Sequence, residues 1–374
     1  MPEEILLDAQ PREEGTKQLG FTSKVLDTGI SAGIQLVTLN CGPLRVVVMS
    51  TRGMGILRVY HQSMEQPFGW DSPIIDPVHP QWVPVSEPSG LGWLDGFNEL
   101  LVRCGLESNG APQHSENGCL EYPLHGRIAN LPASSTTILL DKEAGTIQLT
   151  GCVYETRFHF RRLCLQSSIT CSLDHPNEIR IHDQVQNLGN RPADFQLLYH
   201  INIGSPTLEK DSRIVAPFQT ICPRDATATC GIDQWEQYLG PTHGSEEQVY
   251  FMKMASDQNH QTKTLLHNAA GDRGVSVGYR TDQLPCFSLW KNTVGAKDGY
   301  VTGLEPGVNF PNRRKFEEQQ GRVIPLASEE SKAFDLTLAF LTSAREVKSV
   351  NEHILQLTPD SSEVVREPVP EMCE

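Results

Sequence analysis

Alternation of apolar and polar residues is the dominant pattern along the chain. Residues 154–161 read Tyr-Glu-Thr-Arg-Phe-His-Phe-Arg, a period of two that places the aromatic rings on one face of a strand and the charges on the other. The same period recurs over residues 178–185, 195–203, 275–279 and 334–340. Each of these segments predicts a short β-strand.

Turn-forming residues separate the predicted strands at the spacing expected of antiparallel hairpins. They lie at residues 174–177, 187–190, 271–274 and 298–299. Helical periodicity is confined to residues 233–239 and 344–356, and no repeat of a length typical of propellers or solenoids is present. The pattern therefore predicts an all-β protein, built as a large antiparallel β-sandwich.

The predicted strands are spread along the chain without a flexible linker between them. We therefore expect a single β-sandwich domain over residues 1–345, followed by a C-terminal extension over residues 346–374. The proline-rich residues 67–88 predict a long loop laid over a sheet. The end of the extension, from residue 361, predicts a frayed acidic tail.

The chain is acidic, which narrows the ligands it can bind. Its 374 residues include 31 Lys and Arg against 46 Asp and Glu, a formal charge of −15. Nucleic acids and anionic membranes would be repelled, whereas small neutral ligands would not. No apolar run is long enough to span a membrane, and the acidic residues 1–5 do not resemble an export signal, so we expect a cytoplasmic protein. The ten cysteines form no C-x-x-C pair and are expected to be free thiols.

The first group of candidate site residues surrounds the dipeptide His125-Gly126. An imidazole can exchange a proton with a hydroxyl near neutral pH, and a neighbouring glycine lets a ligand approach closely. Arg103 precedes this dipeptide by some twenty residues, and Arg127 follows it directly. The sequence leaves open that His125 is only a turn residue bonded to a backbone carbonyl.

The second group lies on the predicted strand at residues 195–203. Alternation directs its large apolar side chains to one face and Gln196, His200 and Asn202 to the other. Such a polar row is either solvated or, because it ends at the turn-forming Gly204, part of a pocket walled by loops.

The third group contains Trp290 and Glu305. Glu305 stands at a predicted strand end between Leu304 and Pro306, where partial desolvation would raise its basicity. The indole of Trp290 offers a flat apolar face of the kind that packs against a sugar ring. A surface carboxylate and a core tryptophan are the simpler alternatives.

Taken in order, these motifs resemble the aldose 1-epimerase (galactose mutarotase) superfamily. The similarity rests on His125-Gly126, on His200 with Asn202 after the Asn-Leu-Gly of residues 187–189, and on Glu305. Residues 290–292 and 298–300 are similar to the hexose-6-phosphate epimerase branch, and residues 125–128 to a less characterised branch. The resemblance spans roughly residues 26–342.

The resemblance implies a β-supersandwich with an open groove. It implies that Glu305 is the general base and His200 the general acid, with His125 as the second active-site histidine. Arg103 would be the counterpart of the family's sugar-binding arginine. For the family's sugar-binding aspartate the sequence offers Asp211, Asp225 and Asp233 without distinguishing them.

Arg127 departs from the family pattern, which usually continues with a second glycine. With Arg103 it would form a cationic spot beside His125, so an acidic sugar becomes possible.

The implied reaction is interconversion of sugar anomers by acid and base catalysis, with no metal or organic cofactor. Asn202, His125, Arg103, Arg127 and Trp290 would bind the sugar. A carbohydrate-binding protein without turnover, or a sugar lyase or metal-dependent isomerase, are the alternatives, and the oligomeric state stays open. The sequence thus predicts one groove lined by His125, His200 and Glu305.

Overall fold

The computed structural model describes residues 2–8 and 10–374, which fold mainly as β-strands. The first twelve strands are β1 (Glu3–Leu7), β2 (Arg12–Gly15), β3 (Leu19–Val25), β4 (Gln35–Cys41), β5 (Leu44–Met49), β6 (Gly55–His61), β7 (Leu101–Leu106), β8 (Gln113–His114), β9 (Leu120–Tyr122), β10 (Ala133–Asp141), β11 (Thr146–Thr156) and β12 (Arg162–Ser172). The next twelve are β13 (His175–Asn187), β14 (Ala193–Ile203), β15 (Arg213–Val215), β16 (Phe218–Pro223), β17 (Gln248–Met254), β18 (Gln261–His267), β19 (Gly274–Arg280), β20 (Cys286–Asn292), β21 (Val301–Gly307), β22 (Ile324–Leu326), β23 (Ser331–Leu341) and β24 (Glu363–Val364).

Helices are short and lie between the strands or after them. The α-helices are α1 (Ala226–Thr229), α2 (Arg314–Gln319) and α3 (Ala344–Leu357). Short 3₁₀ turns occur at Gly29–Ser31, Pro80–Trp82, Gly92–Gly96, Ile128–Asn130, Ile232–Gln234 and Ala296–Asp298. None of the helices in the described residues is long and apolar enough to cross a membrane.

The strands form two large sheets that face each other. The nine-stranded sheet has the order β1-β10-β11-β12-β13-β23-β19-β18-β15. The thirteen-stranded sheet has the order β2-β3-β4-β5-β6-β7-β14-β21-β20-β17-β16-β24, with β22 pairing with β14. Apart from the parallel pair β16 and β24, neighbouring strands in both sheets are antiparallel. The predicted all-β antiparallel sandwich is confirmed.

Apolar residues from both sheets form the core between them. Ile138 and Leu149 of the nine-stranded sheet share one buried cluster with Val46 and Leu197 of the thirteen-stranded sheet. Four of the five predicted strands are confirmed, since residues 178–185, 195–203, 275–279 and 334–340 lie within β13, β14, β19 and β23. Residues 67–88 form the predicted loop, interrupted by one 3₁₀ turn.

A buried ion pair ties the two sheets together inside this core. The guanidinium of Arg103 on β7 donates to both carboxylate oxygens of Asp183 on β13 and to Oγ of Ser167 at 2.7 Å. Neither charged side chain of the ion pair is exposed to solvent. Because each charge is fully paired, its burial is tolerated, and Arg103 acts as an inter-sheet anchor.

The prediction of a strand over residues 154–161 is wrong beyond its first three residues. β11 ends at Thr156, and residues 157–161 form the hairpin turn to β12, with His159 at a positive φ of 65°. Phe158 and Phe160 are 85% and 74% exposed, and the guanidinium of Arg157 lies over the Phe160 ring. No second layer of the described structure packs against these alternating side chains, so their period of two does not correspond to a strand.

The two helix predictions have different outcomes. Residues 344–356 form α3, whose first turn is capped by Ser343 and Glu346. Residues 233–239 do not form a helix beyond the turn at Ile232–Gln234. The carbonyls of Gln234, Trp235 and Gln237 instead converge on the buried ammonium of Lys291, which donates to all three.

The prediction of a frayed C-terminal tail is also wrong. β24 pairs with β16, and Met372 and Cys373 are buried against Phe251 and Phe310. The carbonyl of Met372 accepts from Asn312 at 2.9 Å. The acidic composition of the tail hid these few apolar anchors, which fix it on the face of the thirteen-stranded sheet that is turned away from the core.

We expect Met372→Ala to lower the free energy of unfolding by about 2 to 3 kcal/mol, because it removes a buried side chain from that cluster. Val364→Ala, on the exposed side of the tail, should change it by less than about 0.5 kcal/mol. Denaturant unfolding of the two variants measures both values. Equal and negligible changes would show that the tail is frayed.

Candidate active site

The site is built on the face of the thirteen-stranded sheet opposite the core, which we call the site face. On β14 the large apolar side chains are buried in the core, while Gln196, His200 and Asn202 project to the site face. All three are nonetheless buried. The polar row is therefore covered by other parts of the chain and is not a solvated surface.

The pairing of β14 with β21 brings the predicted acid and base together. Ile201 pairs with Leu304, so the next residues along these antiparallel strands, His200 and Glu305, lie opposite each other. Nε2 of His200 is 3.2 Å from Oε1 of Glu305, and the two side chains are only 5% and 3% exposed. The contact lacks the alignment of a hydrogen bond, and Oε1 is a buried atom with no donor among the described residues.

Gly303 gives the carboxylate of Glu305 its space. It precedes Glu305 by two residues and therefore shares its face. A Cβ at position 303 would collide with Oε1 of Glu305 and would lie 3.0 Å from Cε1 of His200. Glycine at this position leaves room for the carboxylate of Glu305 in its observed place beside His200.

Asn202 fixes the orientation of His200. Its Oδ1 lies 2.6 Å from Nδ1 of His200, and its Nδ2 donates to the backbone carbonyls of Glu99 and His200 at 3.0 and 3.3 Å. Since the amide oxygen can only accept, Nδ1 carries the proton, and in neutral His200 the lone pair is on Nε2.

The expectation that Asn202 binds sugar is therefore wrong. Its amide group is buried and its hydrogen bonds go to Glu99 and His200. Asn202 positions the imidazole of His200 instead.

An aromatic enclosure covers the pair. The His200 ring has Phe97, Trp290 and His125 at centroid distances of 5.2, 5.4 and 5.4 Å, and Trp93 lies 4.6 Å from His125. Trp93 and Phe97 come from the loop that contains the turn Gly92–Gly96 and are themselves buried. The enclosure removes the two titratable groups from water.

The His125-Gly126 dipeptide enters the site through an unusual backbone conformation. Both residues have positive φ values, 56° and 71°, and a Cβ on Gly126 would collide with the carbonyls of Gly105 and Ser108. Nδ1 of His125 is buried without a described partner. This nitrogen is thus not bonded to a backbone carbonyl, contrary to the alternative left open by the sequence.

Trp290 lines the site together with a carboxylate that the sequence did not reveal. Its indole N–H donates to Oε2 of Glu247 at 2.8 Å, and Arg224 donates to Oε1 of Glu247 at 3.0 Å. The partly exposed Glu247 stands at the rim of the enclosure, in the position of a carboxylate that could accept from a ligand hydroxyl.

The three aspartates offered by the sequence are engaged elsewhere. Asp225 caps α1 and accepts from Arg224, Asp211 accepts from Gln237, and Asp233 pairs with Arg366.

The structure does not place the predicted arginines in the enclosure. Arg103 lies between the two sheets, on the opposite face of β7 from Val102 and Cys104, so its predicted contact with a sugar is wrong. Arg127 is half-buried and its Nη2 lies 3.3 Å from Oγ of Ser86, beside a cavity that neither His200 nor Glu305 lines. The expected cationic spot at His125 is therefore not formed by this pair.

Burial reverses the ordinary acidities of the pair. Desolvation, assisted by the negative charge of Glu247, raises the pKa of Glu305 to about 8. Desolvation lowers the pKa of His200 to about 4, although its hydrogen bond to Asn202 acts in the other direction. At neutral pH Glu305 therefore holds the proton and His200 is neutral, so that the pair carries one titratable proton in all.

Burial also lowers the pKa of His125 well below its usual value, with a further contribution from His200. In the described part of the chain, no three His, Cys, Asp or Glu side chains converge as metal ligands.

Several site residues were not predicted from the sequence. Trp93 and Phe97 lie in a loop without periodicity, and Glu247 precedes a strand that had not been recognised. Ser288 pairs with Glu305 across β20 and β21, and its buried Oγ has no described partner. Gly303 could have been found, because a glycine two residues before a candidate base on a strand indicates a close approach.

Residues 31–340 of this chain match the family described as a domain of unknown function, DUF4432. The structure is similar to that of a candidate aldose 1-epimerase from Klebsiella pneumoniae, with a TM-score of 0.93 and 33% identity over 99% of each chain. None of the curated proteins matches the sequence.

More distant structures share the fold alone. A galactose mutarotase-like protein from Clostridium acetobutylicum has a TM-score of 0.60 and 12% identity over 87% of this chain and 100% of its own. A candidate aldose 1-epimerase from Escherichia coli K12 has a TM-score of 0.52 and 15% identity over 82% and 99%.

The positioning role of Asn202 predicts a shift in the acidity of His200. Asn202→Asp retains an acceptor and adds a negative charge beside Nδ1, so the pKa of His200 should rise by about one to three pH units. A titration followed by ¹⁵N NMR of the imidazole measures it. Asn190→Asp adds the same charge in an exposed turn and should leave this pKa unchanged. An unshifted His200 in Asn202→Asp would mean that the two side chains are not in contact.

Proposed function

Because the chain belongs to the DUF4432 family and has the fold of the galactose mutarotase-like proteins, we propose that it interconverts the α and β anomers of a sugar. The observation that carries this proposal is the pair of His200 and Glu305, side by side at 3.2 Å and enclosed by aromatic rings. The reaction needs one group that takes a proton and one that gives a proton, and the pair supplies both.

Ring opening moves two protons. One member of the pair takes the proton of the anomeric hydroxyl while the other protonates the ring oxygen, and the bond between C1 and the ring oxygen breaks. Rotation about C1–C2 and closure on the opposite face of the carbonyl give the other anomer, and both protons return. A pair that holds a single proton is in the state this exchange requires.

Glu305 is the base and His200 the acid in this scheme, which requires the ionised form of the pair. Burial by itself favours the neutral form of the pair, with the proton on Glu305. Sugar hydroxyls that donate to the carboxylate would favour its ionised form, and the proton then has only the 3.2 Å contact to cross to reach His200.

Unsatisfied polar atoms around the pair support a polyhydroxylated ligand. Oε1 of Glu305, Nδ1 of His125, Nε1 of Trp93 and Oγ of Ser288 are all buried without a partner among the described residues. Leaving such groups unpaired is costly, whereas hydroxyls can both donate to and accept from them. The ring of Trp290 adds a flat surface for the C–H face of the sugar.

Charge around the site favours a neutral sugar. Arg224, the cation that influences Glu305, is already bonded to Asp225 and Glu247 at 2.8 and 3.0 Å. The site therefore presents carboxylates in excess, which would repel a phosphate or a carboxylate on the substrate. We therefore propose a neutral sugar as the substrate, in place of the acidic sugar that the sequence had made possible.

A carbohydrate-binding protein of the same fold is the alternative. The aromatic enclosure and the rim of Arg224 and Glu247 would serve binding equally well. The buried pair distinguishes the two functions, because a desolvated Glu305 with a raised pKa is costly to the fold and gives a binding protein no advantage.

We expect Glu305→Gln to slow anomer exchange by about two to four powers of ten, while neutral sugars still bind. Glutamine keeps the size and an acceptor oxygen but cannot take up the anomeric proton. NMR exchange spectroscopy on a panel of neutral, phosphorylated and acidic sugars measures the rate.

Glu246→Gln is the matched control, since it removes the same charge from an exposed side chain and should leave the rate unchanged. Circular dichroism checks that both variants are folded. A wild-type rate equal to that of buffer would favour the binding protein, and an active Glu305→Gln would assign the base to another residue.

A further inference from the structure

A cavity lies apart from the aromatic enclosure, between the loop at residues 80–87 and the segment at residues 127–131. Its volume is about 460 Å³, within the range of small-molecule sites. Six of the residues that line it are Val83, Pro84, Ser86, Arg127, Asn130 and Leu131. The apolar members form a wall, and Arg127 and Asn130 supply hydrogen-bond donors.

The local backbone places these two donors next to each other. Arg127 is the N-cap of the 3₁₀ turn Ile128–Asn130, and the backbone N–H of Asn130 donates to the carbonyl of Arg127 at 2.9 Å. Both residues line the same cavity, so the guanidinium and the carboxamide lie on the same side of the turn.

The carboxamide of Asn130 is oriented by a buried partner. Its Oδ1 accepts from Nη1 of Arg52 at 2.9 Å, and Arg52 is itself bonded to the carboxylate of Glu99. Nδ2 is therefore the free end of the amide, and it is buried without a partner among the described residues, on a side chain that is only 8% exposed. An unpaired buried N–H group next to a cavity indicates a missing acceptor.

Arg127 supplies the charge. Its contact with Oγ of Ser86 is long, at 3.3 Å, and uses one of the five N–H donors of the guanidinium. Glu87 also lines the cavity, but its carboxylate accepts from the backbone N–H groups of Ser89 and Leu91 and is held in that turn. A fork of donors beside a buried N–H group matches the geometry of a carboxylate.

We propose that this cavity binds a small carboxylate with a short apolar chain. The carboxylate would lie between the guanidinium of Arg127 and Nδ2 of Asn130, and the chain would pack on Val83, Pro84 and Leu131. This assignment is independent of the proposed anomer exchange, because neither His200 nor Glu305 lines the cavity.

Calorimetric titration with butyrate at low ionic strength tests the proposal, with butyramide as the neutral analogue of the same shape. Butyrate should bind at least about tenfold more tightly than butyramide, and Arg127→Leu should weaken butyrate by about tenfold or more. Arg157→Leu removes the same charge from an exposed hairpin and should leave the affinity unchanged.

A second variant covers the case in which Arg127→Leu does not fold. Asn130→Asp keeps an oxygen for Arg52 and replaces the free N–H group by an anionic oxygen, so it should abolish butyrate binding. Unchanged affinity in either folded variant, or equal binding of butyrate and butyramide, would overturn the proposal.

Inorganic phosphate tests the role of the apolar wall. If phosphate bound as tightly as butyrate, the predicted apolar chain of the ligand would be excluded.

Discussion

The hydrogen bond from Nδ1 of His200 to Asn202, at 2.6 Å, is the constraint on which the site depends. The amide of Asn202 cannot turn, because its N–H groups are held by the backbone carbonyls of Glu99 and His200. This fixes the tautomer of the imidazole and leaves its unprotonated Nε2 on the side of Glu305, 3.2 Å from Oε1. Gly303 then allows the carboxylate to approach, so two titratable groups share one proton in a dry enclosure.

The rigidity of this arrangement extends well beyond the site face. The carboxylate of Glu99 pairs with the buried Arg52, which also holds the carboxamide of Asn130. Glu99 thus links the cavity beside Asn130 to His200, because its carboxylate accepts from Arg52 and its backbone carbonyl accepts from Asn202. On the other face of the same sheet, the ion pair of Arg103 with Asp183 joins the two sheets. These two buried ion pairs, Arg52 with Glu99 and Arg103 with Asp183, hold the scaffold around His200 and Glu305.

The local pattern of apolar and polar residues was sufficient to predict much of the fold, because a strand that buries one face must alternate between apolar and polar side chains. It failed at residues 154–161, where alternating rings meet no second layer, and at the tail, where a few apolar residues such as Met372 outweigh an acidic composition. In the site, the proximity of His200 and Glu305 could be predicted because each stands on a motif of the family that the sequence resembles. Arg103 could not, since its partner Asp183 is distant in sequence and only the sheet pairing shows which face it occupies.

The pH dependence of kcat/KM for anomer exchange tests the one-proton pair most directly, because this ratio reports the ionisations of the free enzyme. Below a pH of about 4 His200 also becomes protonated and the pair has no base, whereas above about 8 Glu305 loses its proton and the pair has no acid. The account predicts a bell-shaped profile that falls away on both sides of this window. A rate that stays constant through both limits, or that keeps rising above a pH of about 8, would contradict it.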